Sequence, residues 1–408
     1  MKNKIAIIGL GYVGLPLAIS LSKHFMVTGI DHSKNRIDDL ENNFDINREI
    51  NSYQIKKSKI KFIYSSKIKN FSADIFIVTV PTPVNHLNKP NIKNLISACK
   101  FIGKYFKKKN LVIIESTVAP ETTEKICLGI ISKISGISKD KINICFSPER
   151  INPGDRYMKI KDITKIVSGN KISSKKKALR IYKKINKKVV TAENIKSAEL
   201  AKIIENAQRD INISFMNEIY KICDIYKLDY RHVLELCSTK WNFINFKPGL
   251  VGGHCVPVDP YYLIEDLKKK NYSSKLLKIS RNNNEQFIKY ITKKLYCIIK
   301  KFKKRKILYC GINFKHNVSD KRNSKYNSIY LNLKKKYKCD LFLENKNTPK
   351  NIKKYLSDYN IFIIGTRNSN VEKLQKKILS IKKSEIIIIN ILGKKINSQN
   401  KNIKIINI

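Results

Sequence analysis

Ile5-Ala6-Ile7-Ile8-Gly9-Leu10-Gly11-Tyr12-Val13-Gly14 lies near the start of the chain, and Met26-Val27-Thr28-Gly29-Ile30-Asp31 comes after it, beyond one intervening apolar segment. Residues 5–9 form a short, wholly apolar run, the signature of a buried parallel strand. A glycine turn comes next, then a helical pattern from Leu15 to about His24, then a second strand over Met26–Ile30 that ends in Asp31. A lone Gly-x-Gly-x-x-Gly is weak evidence. Here it has a strand before it, a helix after it and an acid 22 residues beyond its first glycine. The first glycine permits a tight turn, the second lets backbone approach a pyrophosphate, and the third lets helix and strand pack closely. The free N–H groups of the helix start would face the phosphates. Asp31 would accept hydrogen bonds from the adenine ribose and repel a 2′-phosphate, which favours NAD over NADP. Arg36 pulls the other way.

Further apolar strands are expected at Ile75–Val80, Leu111–Glu115 and Ile142–Phe146, with helical stretches between them. Such alternation indicates a parallel sheet covered on both faces. After about residue 190 the pattern changes. Residues 195–226 contain no Gly or Pro, and Leu200, Ile203, Ile204, Ala207 and Ile211 recur at helical spacing. A second helix is expected over Tyr230–Cys237. Strands return at Ile307–Ile312, Leu341–Glu344, Ile361–Gly365 and Glu385–Ile391. The expected architecture is α/β, with two Rossmann-like parallel-sheet domains joined by a helical central domain with one long helix. The boundaries fall at 1–190, 191–300 and 301–408. A length of 408 residues suits two or three domains.

Charge is the unusual feature, with 82 Lys+Arg against 32 Asp+Glu and a formal net charge of +50. Nucleic acid is one reading. However, the lysines are spread along the whole chain, and runs such as Lys107-Lys108-Lys109 and Lys334-Lys335-Lys336 have no interleaved aromatics. Compositional drift on solvated faces explains this better, and a positive field also attracts an anionic diphosphate. Nine cysteines at irregular spacing, with no CxxC pair, indicate reduced thiols in a cytoplasm rather than a disulfide framework. Met1-Lys2-Asn3-Lys4 with the apolar run to Leu21 has the look of a signal peptide. Gly9, Gly11, Gly14 and Pro16 interrupt that run, and it reads better as strand, turn and helix. No segment has 18 uninterrupted apolar residues, so no membrane span is expected.

Val80-Pro81-Thr82-Pro83 and Glu115-Ser116-Thr117 each come after a strand, at the edge where open α/β sheets bind ligands. Taken alone, each is an ordinary loop. Phe146-Ser147-Pro148-Glu149-Arg150-Ile151-Asn152-Pro153-Gly154 offers Glu149 as a general base and Arg150 as an anion clamp. Lys202, Asn206 and Arg209 lie at i, i+4 and i+7 on the long helix, hence on one face. Lysine and asparagine there suit the stabilisation of an oxyanion. Residues 248–263 read Pro-Gly-Leu-Val-Gly-Gly-His-Cys-Val-Pro-Val-Asp-Pro-Tyr-Tyr-Leu. Two glycines allow close approach, and Cys255 precedes a helix start near Pro257–Pro260, whose dipole would favour the thiolate. A Cys255–His254 dyad is disfavoured, because adjacent residues rarely aim their side chains at one another.

These motifs, in this order, resemble the UDP-glucose/GDP-mannose dehydrogenase family to about residue 330. They are Gly-Leu-Gly-Tyr-Val-Gly, Val-Pro-Thr-Pro, Ser-Thr-Val-Ala-Pro, Ser-Pro-Glu-Arg, the Lys202/Asn206 helix, Gly-Gly-His-Cys, and Gly-Ile-Asn-Phe-Lys with Asp-Lys-Arg-Asn-Ser within 311–324. The resemblance implies two successive NAD-linked oxidations at C6 of a UDP-sugar. Cys255 would hold the aldehyde as a thiohemiacetal and then a thioester, which water releases as the acid. It further implies that Lys202 and Asn206 stabilise oxyanions, that Asp259 positions Lys202 or the water, and that Glu149 and Thr117 serve the hydrolytic water. Expected cofactor contacts are Gly9, Gly11, Tyr12, Val13, Gly14, Asp31, Arg36, Thr82, Thr117 and Arg322. Expected substrate contacts are Glu149, Arg150, Ile151, Lys202, Asn206, Arg209, Phe246, Gly252 and Lys315. No metal is expected.

By the same resemblance the C-terminal domain grips UDP, and the long helix builds a homodimer or larger assembly. Thr239-Lys240-Trp241-Asn242-Phe243 before Phe246-Lys247-Pro248-Gly249 resembles the branch that oxidises UDP-N-acetylglucosamine or UDP-N-acetylgalactosamine, whose products feed capsule or O-antigen synthesis. UDP-glucose and UDP-N-acetylmannosamine are the alternative substrates, and a nucleic-acid binder on a decayed scaffold is the remote one. Three stretches depart from the family pattern. Glu121 stands where glycine is usual, Leu341–Glu344 lacks an Asp-Pro ending, and Ile361–Thr366 lacks Ala-x-x-His.

Overall fold

A computed structural model describes residues 3–151, 160–316, 320–342, 358–380 and 386–408. Of the expected features, Asn152-Pro153-Gly154, Leu343-Glu344 and Glu385 lie outside these residues. The chain divides into two compact units, Met1–Asn206 with Val258–Ser273, and Ala207–Pro257 with Ser274–Ile408.

The first unit is built on eight strands, β1 (Lys4–Ile8), β2 (Met26–Asp31), β3 (Lys61–Tyr64), β4 (Ile75–Val78), β5 (Leu111–Ile114), β6 (Asn143–Phe146), β7 (Lys165–Gly169) and β8 (Val189–Thr191), in the order β3-β2-β1-β4-β5-β6-β7-β8. The helices α1 (Gly14–Ser22), α2 (Lys34–Glu41), α3 (Ser52–Lys57), α4 (Lys93–Tyr105), α5 (Leu128–Ser135) and α6 (Ile172–Tyr182) connect them. Ile5, Ile7, Ile77 and Ile113 face one core, while Ala6, Phe76, Val78 and Val112 face the other. Burial on both faces is why β1, β4 and β5 read as continuous apolar runs. The chain winds outward from β1 in both directions, so the carboxyl ends of β1 and β4 form the topological switch point.

Sequence pattern did not foresee β3, β7 or β8. β3 is half-exposed, β8 is short and largely exposed, and β7 departs from the parallel arrangement by running antiparallel to β6, with Cys145 opposite Gly169 and Phe146 opposite Ser168.

The long helix α7 (Ile195–Ile225) is 31 residues, and Asn194 caps it by accepting from Ser197 N at 2.8 Å. Its first turns belong to the first unit, where Ile195 and Ala198 join one face of the sheet core. The remainder, with α8 (Tyr230–Ser238), belongs to the second unit, whereas α9 (Asp259–Lys269) belongs to the first. In the second unit, α10 (Lys275–Lys300) buries Phe287, Ile291, Leu295 and Ile299 at helical spacing, against Ile307, Tyr309, Ile361 and Ile363. These belong to a five-stranded, wholly parallel sheet of β9 (Ile307–Cys310), β10 (Cys339–Leu341), β11 (Ile361–Ile364), β12 (Ile386–Asn390) and β13 (Ile403–Asn407), ordered β10-β9-β11-β12-β13. The strand expected over Leu341–Glu344 sits earlier, at Cys339–Leu341, and β13 was not foreseen because Lys404 breaks its apolar run. A helix over Lys325–Lys336, α11, covers one face and a helix over Ser369–Leu379 the other. Among the described residues, no helix is long and apolar enough to cross a membrane.

Candidate active site

The glycine turn has the geometry its residue types require. Gly9 has φ +94°, a left-handed conformation open to glycine, and its N–H donates to Ile30 O at 2.8 Å. A Cβ on Gly14 would lie 1.8 Å from Gly9 O, so α1 can start against the strand only with glycine there. A Cβ on Gly11 would meet nothing within 4 Å; that exposed backbone is the open approach a pyrophosphate needs. Tyr12 and Val13 lead into the first turn of α1. Asp31 accepts from Leu10 N at 2.8 Å and Ser33 N at 2.9 Å, which fixes its carboxylate at the end of β2. Arg36 is buried, donates through Nε to Leu10 O at 2.8 Å and sits 2.8 Å from the Asp45 carboxylate. It is thus built into the turn, and the preference set by Asp31 is not offset by a free cation at this position. The turn, the acid and the helix N-terminus fit an adenine dinucleotide.

The loops after β4 and β5 are tied together. Thr82 Oγ1 donates to Thr117 O at 2.7 Å, Ser116 Oγ to Val80 O at 2.7 Å, and Tyr262 Oη from α9 to Thr82 O at 2.9 Å. Glu121 has φ +72°, the left-handed region that explains why glycine is usual there. The wholly buried Glu199 carboxylate accepts from Glu121 N at 2.6 Å and Thr123 N at 2.9 Å, and the Glu121 side chain pairs with Lys125 at 2.7 Å and Lys196 at 2.8 Å.

A buried charge cluster lies beyond β5 and β6. Lys165 Nζ is 2.8 Å from Glu115 Oε2 and 3.4 Å from Glu149 Oε2, and Tyr182 donates to the other Glu115 oxygen. Glu149 Oε1 accepts from Arg150 N at 2.7 Å and Ile151 N at 2.6 Å. Each buried ion costs several kcal/mol to desolvate, so the cluster persists only because its charges meet. Burial pushes Glu115 up to about 7 against the pull of Lys165. Burial also works to raise Glu149, but Lys165, Ile151 N–H, Glu115 and Lys202 outweigh it and hold the carboxyl below its ordinary range. Arg150, expected as an anion clamp, spends its guanidinium on Glu205 at 2.7 and 3.1 Å and on Thr164 O at 3.0 Å.

Lys202 and Asn206 share one face of α7. Asn206 Nδ2 donates to Asp259 Oδ2 at 2.5 Å, and Lys202 exerts its charge on the same carboxylate. Asp259 is the first residue of α9 and is buried, and burial pushes it up to about 6 against Lys202 and Asn206. Ile203, Val258 and Tyr262 form the apolar floor of this cluster. Arg209 is exposed and lies in the second unit.

The second unit carries the glycine–cysteine loop. Gly253 has φ +86°, and a Cβ on it would lie 2.8 Å from the Phe314 ring; a Cβ on Gly252 would lie 2.8 Å from Asn323 O. Asn323 Nδ2 donates to Gly253 O at 2.9 Å. Phe314 and Asn323 therefore hold the loop that presents Cys255, which is exposed. Upstream, Asn217 pairs with both Gly249 N (2.8 Å) and Gly249 O (3.1 Å), and Phe246 is half-buried. His254 Nε2 faces Asp320 at 4.0 Å, and burial and the Arg322 charge lower its pKa below the usual imidazole value. Arg322 grips Asp320 through two bonds of 2.9 and 2.8 Å, and Lys315 is half-buried after Phe314. Among the described residues no cluster of three or more His, Cys, Asp or Glu side chains could hold a metal.

The NAD binding domain of the UDP-glucose/GDP-mannose dehydrogenase family matches residues 3–186, and the central domain of the same family matches residues 196–286. The chain belongs to this family. It is an NAD-using nucleotide-sugar dehydrogenase. It is similar to protein CapL of Staphylococcus aureus, 39% identical over 348 residues, with 82% of this chain and 80% of that protein covered. It is 38% identical to the UDP-N-acetyl-D-glucosamine 6-dehydrogenase of Salmonella typhi, over 83% of this chain and 81% of that protein. The solved structure of the UDP-N-acetyl-mannosamine dehydrogenase Cap5O from Staphylococcus aureus superposes with a TM-score of 0.84 at 26% identity, over 99% of this chain and 98% of that one.

Of the buried groups just described, sequence reasoning did not single out Lys165, Tyr182, Glu199 or Asn217. Lys165 opens an apolar strand run, which is the one sequence signal that could have drawn attention to it.

Proposed function

We propose that this dehydrogenase oxidises C6 of a UDP-N-acetylhexosamine, UDP-N-acetylglucosamine or UDP-N-acetylgalactosamine, to the uronic acid, with Cys255 as covalent nucleophile. The observation that carries the chemistry is the set formed by Lys202, Asn206 and a buried Asp259. An amide donor fixed by a buried carboxylate, beside a buried cation whose charge acts on the same group, supplies a preorganised home for a developing oxyanion. The likeness to the Salmonella typhi UDP-N-acetyl-D-glucosamine 6-dehydrogenase and the Thr239–Phe243 segment support the substrate class.

Gly9, Gly11, Tyr12, Val13, Gly14, Asp31, Thr82 and Thr117 would hold NAD, which would supply the hydride acceptor for each oxidation. Cys255 captures the aldehyde so that it is not released between the two steps. Lys202 and Asn206 stabilise the oxyanions on the way to and from the thioester. Glu149 and Thr117 serve the water that cleaves it. Phe246, Gly252, Arg209 and Lys315 would contact the sugar nucleotide, and Arg322 would contact the cofactor.

The working division is a cofactor domain over 1–190, a central domain over 191–300 that carries catalysis and homodimerisation, and a UDP-binding domain over 301–408. The cellular setting is cytoplasmic, and the product feeds surface polysaccharide such as capsule. A panel of UDP-N-acetylglucosamine, UDP-N-acetylgalactosamine, UDP-N-acetylmannosamine and UDP-glucose, followed by NADH absorbance, tests the reading. The expected result is two NADH per N-acetylglucosamine or N-acetylgalactosamine unit and no acid from Cys255→Ser. One NADH per sugar, or equal turnover of UDP-glucose, would overturn it.

A further inference from the structure

We propose that Lys165, braced by Glu115 and Tyr182, is the positioning residue that keeps Glu149 ionised and aimed for thioester hydrolysis. The proposal rests on the functional reading above, in which Glu149 is the base for the water.

The argument begins with strand direction. β7 is the strand that reverses, and it pairs antiparallel with β6 through Phe146–Ser168 and Cys145–Gly169. Continuing that register brings the first residue of β7, Lys165, opposite Glu149. A parallel β7 would have placed Lys165 at the other edge of the sheet, away from the carboxyl ends of β5 and β6. The reversal thus delivers one ammonium to the edge where Glu115 and Glu149 stand.

Burial makes this placement consequential. Lys165 is 4% exposed, and a lysine is almost never buried unless it is paired. Its pairing is divided, at 2.8 Å to Glu115 and 3.4 Å to Glu149. Tyr182 donates to Glu115 and lies under the ammonium, 4.9 Å from ring centroid to Nζ. Glu149 has one oxygen fixed by two backbone N–H groups, while the other, Oε2, meets Lys165 at the longer distance. That oxygen is therefore oriented but not saturated, as a proton acceptor must be. The charged groups facing Glu149 are Lys165 from β7, Glu115 from the end of β5 and Lys202 from α7. Arg150, its neighbour in sequence, is committed to Glu205.

In the step served, water oxygen bonds to the thioester carbonyl carbon and one water proton passes to Glu149 Oε2. The C–S bond breaks with its electron pair on sulfur, which leaves as the Cys255 thiolate, and the sugar departs as the carboxylic acid. Glu149 then returns its proton to solvent.

The sign of the pH effect is set by charge. Hydrolysis needs ionised Glu149, so turnover falls as pH drops through its pKa. Removing the Lys165 ammonium raises that pKa, whereas Glu115, pushed up to about 7, is already protonated where Glu149 titrates, so its replacement by glutamine moves that pKa little. The test uses full-length Lys165→Met, Lys165→Arg and Glu115→Gln, with kcat against pH and intact-protein mass after rapid acid quench. Lys165→Met is expected to lower kcat by about 10- to 100-fold, to move the acid limb to higher pH and to trap the sugar acyl mass on Cys255. Lys165→Arg restores most turnover. Lys165→Gln, run alongside in case Lys165→Met misfolds, moves the acid limb the same way, and Glu115→Gln, isosteric with the protonated acid, leaves the limb in place. An acid limb unmoved in folded Lys165→Met or Lys165→Gln, or a slow Lys165→Met without the acyl adduct, overturns the proposal while the wild-type adduct still supports the functional reading. A wild-type enzyme that never forms the Cys255 adduct overturns both.

Discussion

Two glycine turns, one in each parallel sheet, occupy the same place in their folds and do different things. Gly9 succeeds β1 and crosses Thr79 at the end of β4, where the threonine hydroxyl donates to Gly9 O at 2.7 Å. Gly311 succeeds β9 and crosses Thr366 just beyond β11, with Thr366 N donating to Gly311 O at 3.0 Å. Both have positive φ, +94° and +86°. After Gly9 the backbone opens through Gly11 into α1, and the next strand ends in Asp31. After Gly311 come Ile312-Asn313-Phe314, and the Phe314 ring fills the space over Gly253. Similar strand geometry gives a turn in both sheets. The residues just past each turn decide whether it meets a dinucleotide or braces a catalytic loop, so function lies in the side chains rather than in the fold.

Substitution at each turn should separate stability from binding. Gly311→Ala carries the largest effect, since the new Cβ would sit 1.8 Å from Thr366 O on a left-handed backbone. A loss of about 3 kcal/mol or more in denaturant unfolding is expected, with NAD affinity unchanged in the protein that remains folded. Equal loss of NAD binding would erase the distinction between the two turns.

Gly11→Ala is the converse and the next in size. Its Cβ has no neighbour within 4 Å, so stability should change by less than about 1 kcal/mol. The methyl occupies the approach to the pyrophosphate, and NAD affinity by fluorescence titration should fall about tenfold or more. Unchanged affinity would show that the cofactor does not use this opening.

A smaller effect is expected from Asp31→Asn, which removes the charge and leaves one amide oxygen to accept where the carboxylate served both Leu10 N and Ser33 N. The preference for NAD over NADP should narrow by about tenfold, the loss of one charge repulsion near the 2′-position. An unaltered ratio would place the discrimination elsewhere, with Arg36 the first residue to test.

These contrasts also show what sequence could reveal. The apolar runs of β1, β4, β5, β9 and β11, and the uninterrupted helical period of α7, were legible because burial on both faces and one long amphipathic stripe leave strong local patterns. The glycine turn and the shared face of Lys202 and Asn206 were legible because motif spacing fixes local geometry, while Asp259 entered only through the family resemblance. Lys165 was not legible, since its one local signal, a place at the head of a short apolar run, does not reveal its partners. Its partners Glu115 and Glu149 lie 50 and 16 residues away and meet it only because β7 reverses. Arg150 shows the same limit, since its motif could be read locally but its partner Glu205, 55 residues along the chain, could not.

Glu121 supplies the smallest effect and the finest test of the rule that turns take glycine where φ is positive. Its backbone is held at +72° by the buried Glu199 carboxylate, which would hold glycine equally well. Its side chain gives back part of the backbone strain through Lys125 and Lys196. Glu121→Gly removes both terms. Exposed pairs weaken with salt while backbone strain does not. The Tm of Glu121→Gly relative to the parent should therefore rise as salt is raised from about 0.05 M to about 1 M. A difference that does not vary with salt would mean that the lysines contribute nothing, and that Glu121 persists here on the strength of the Glu199 clamp alone.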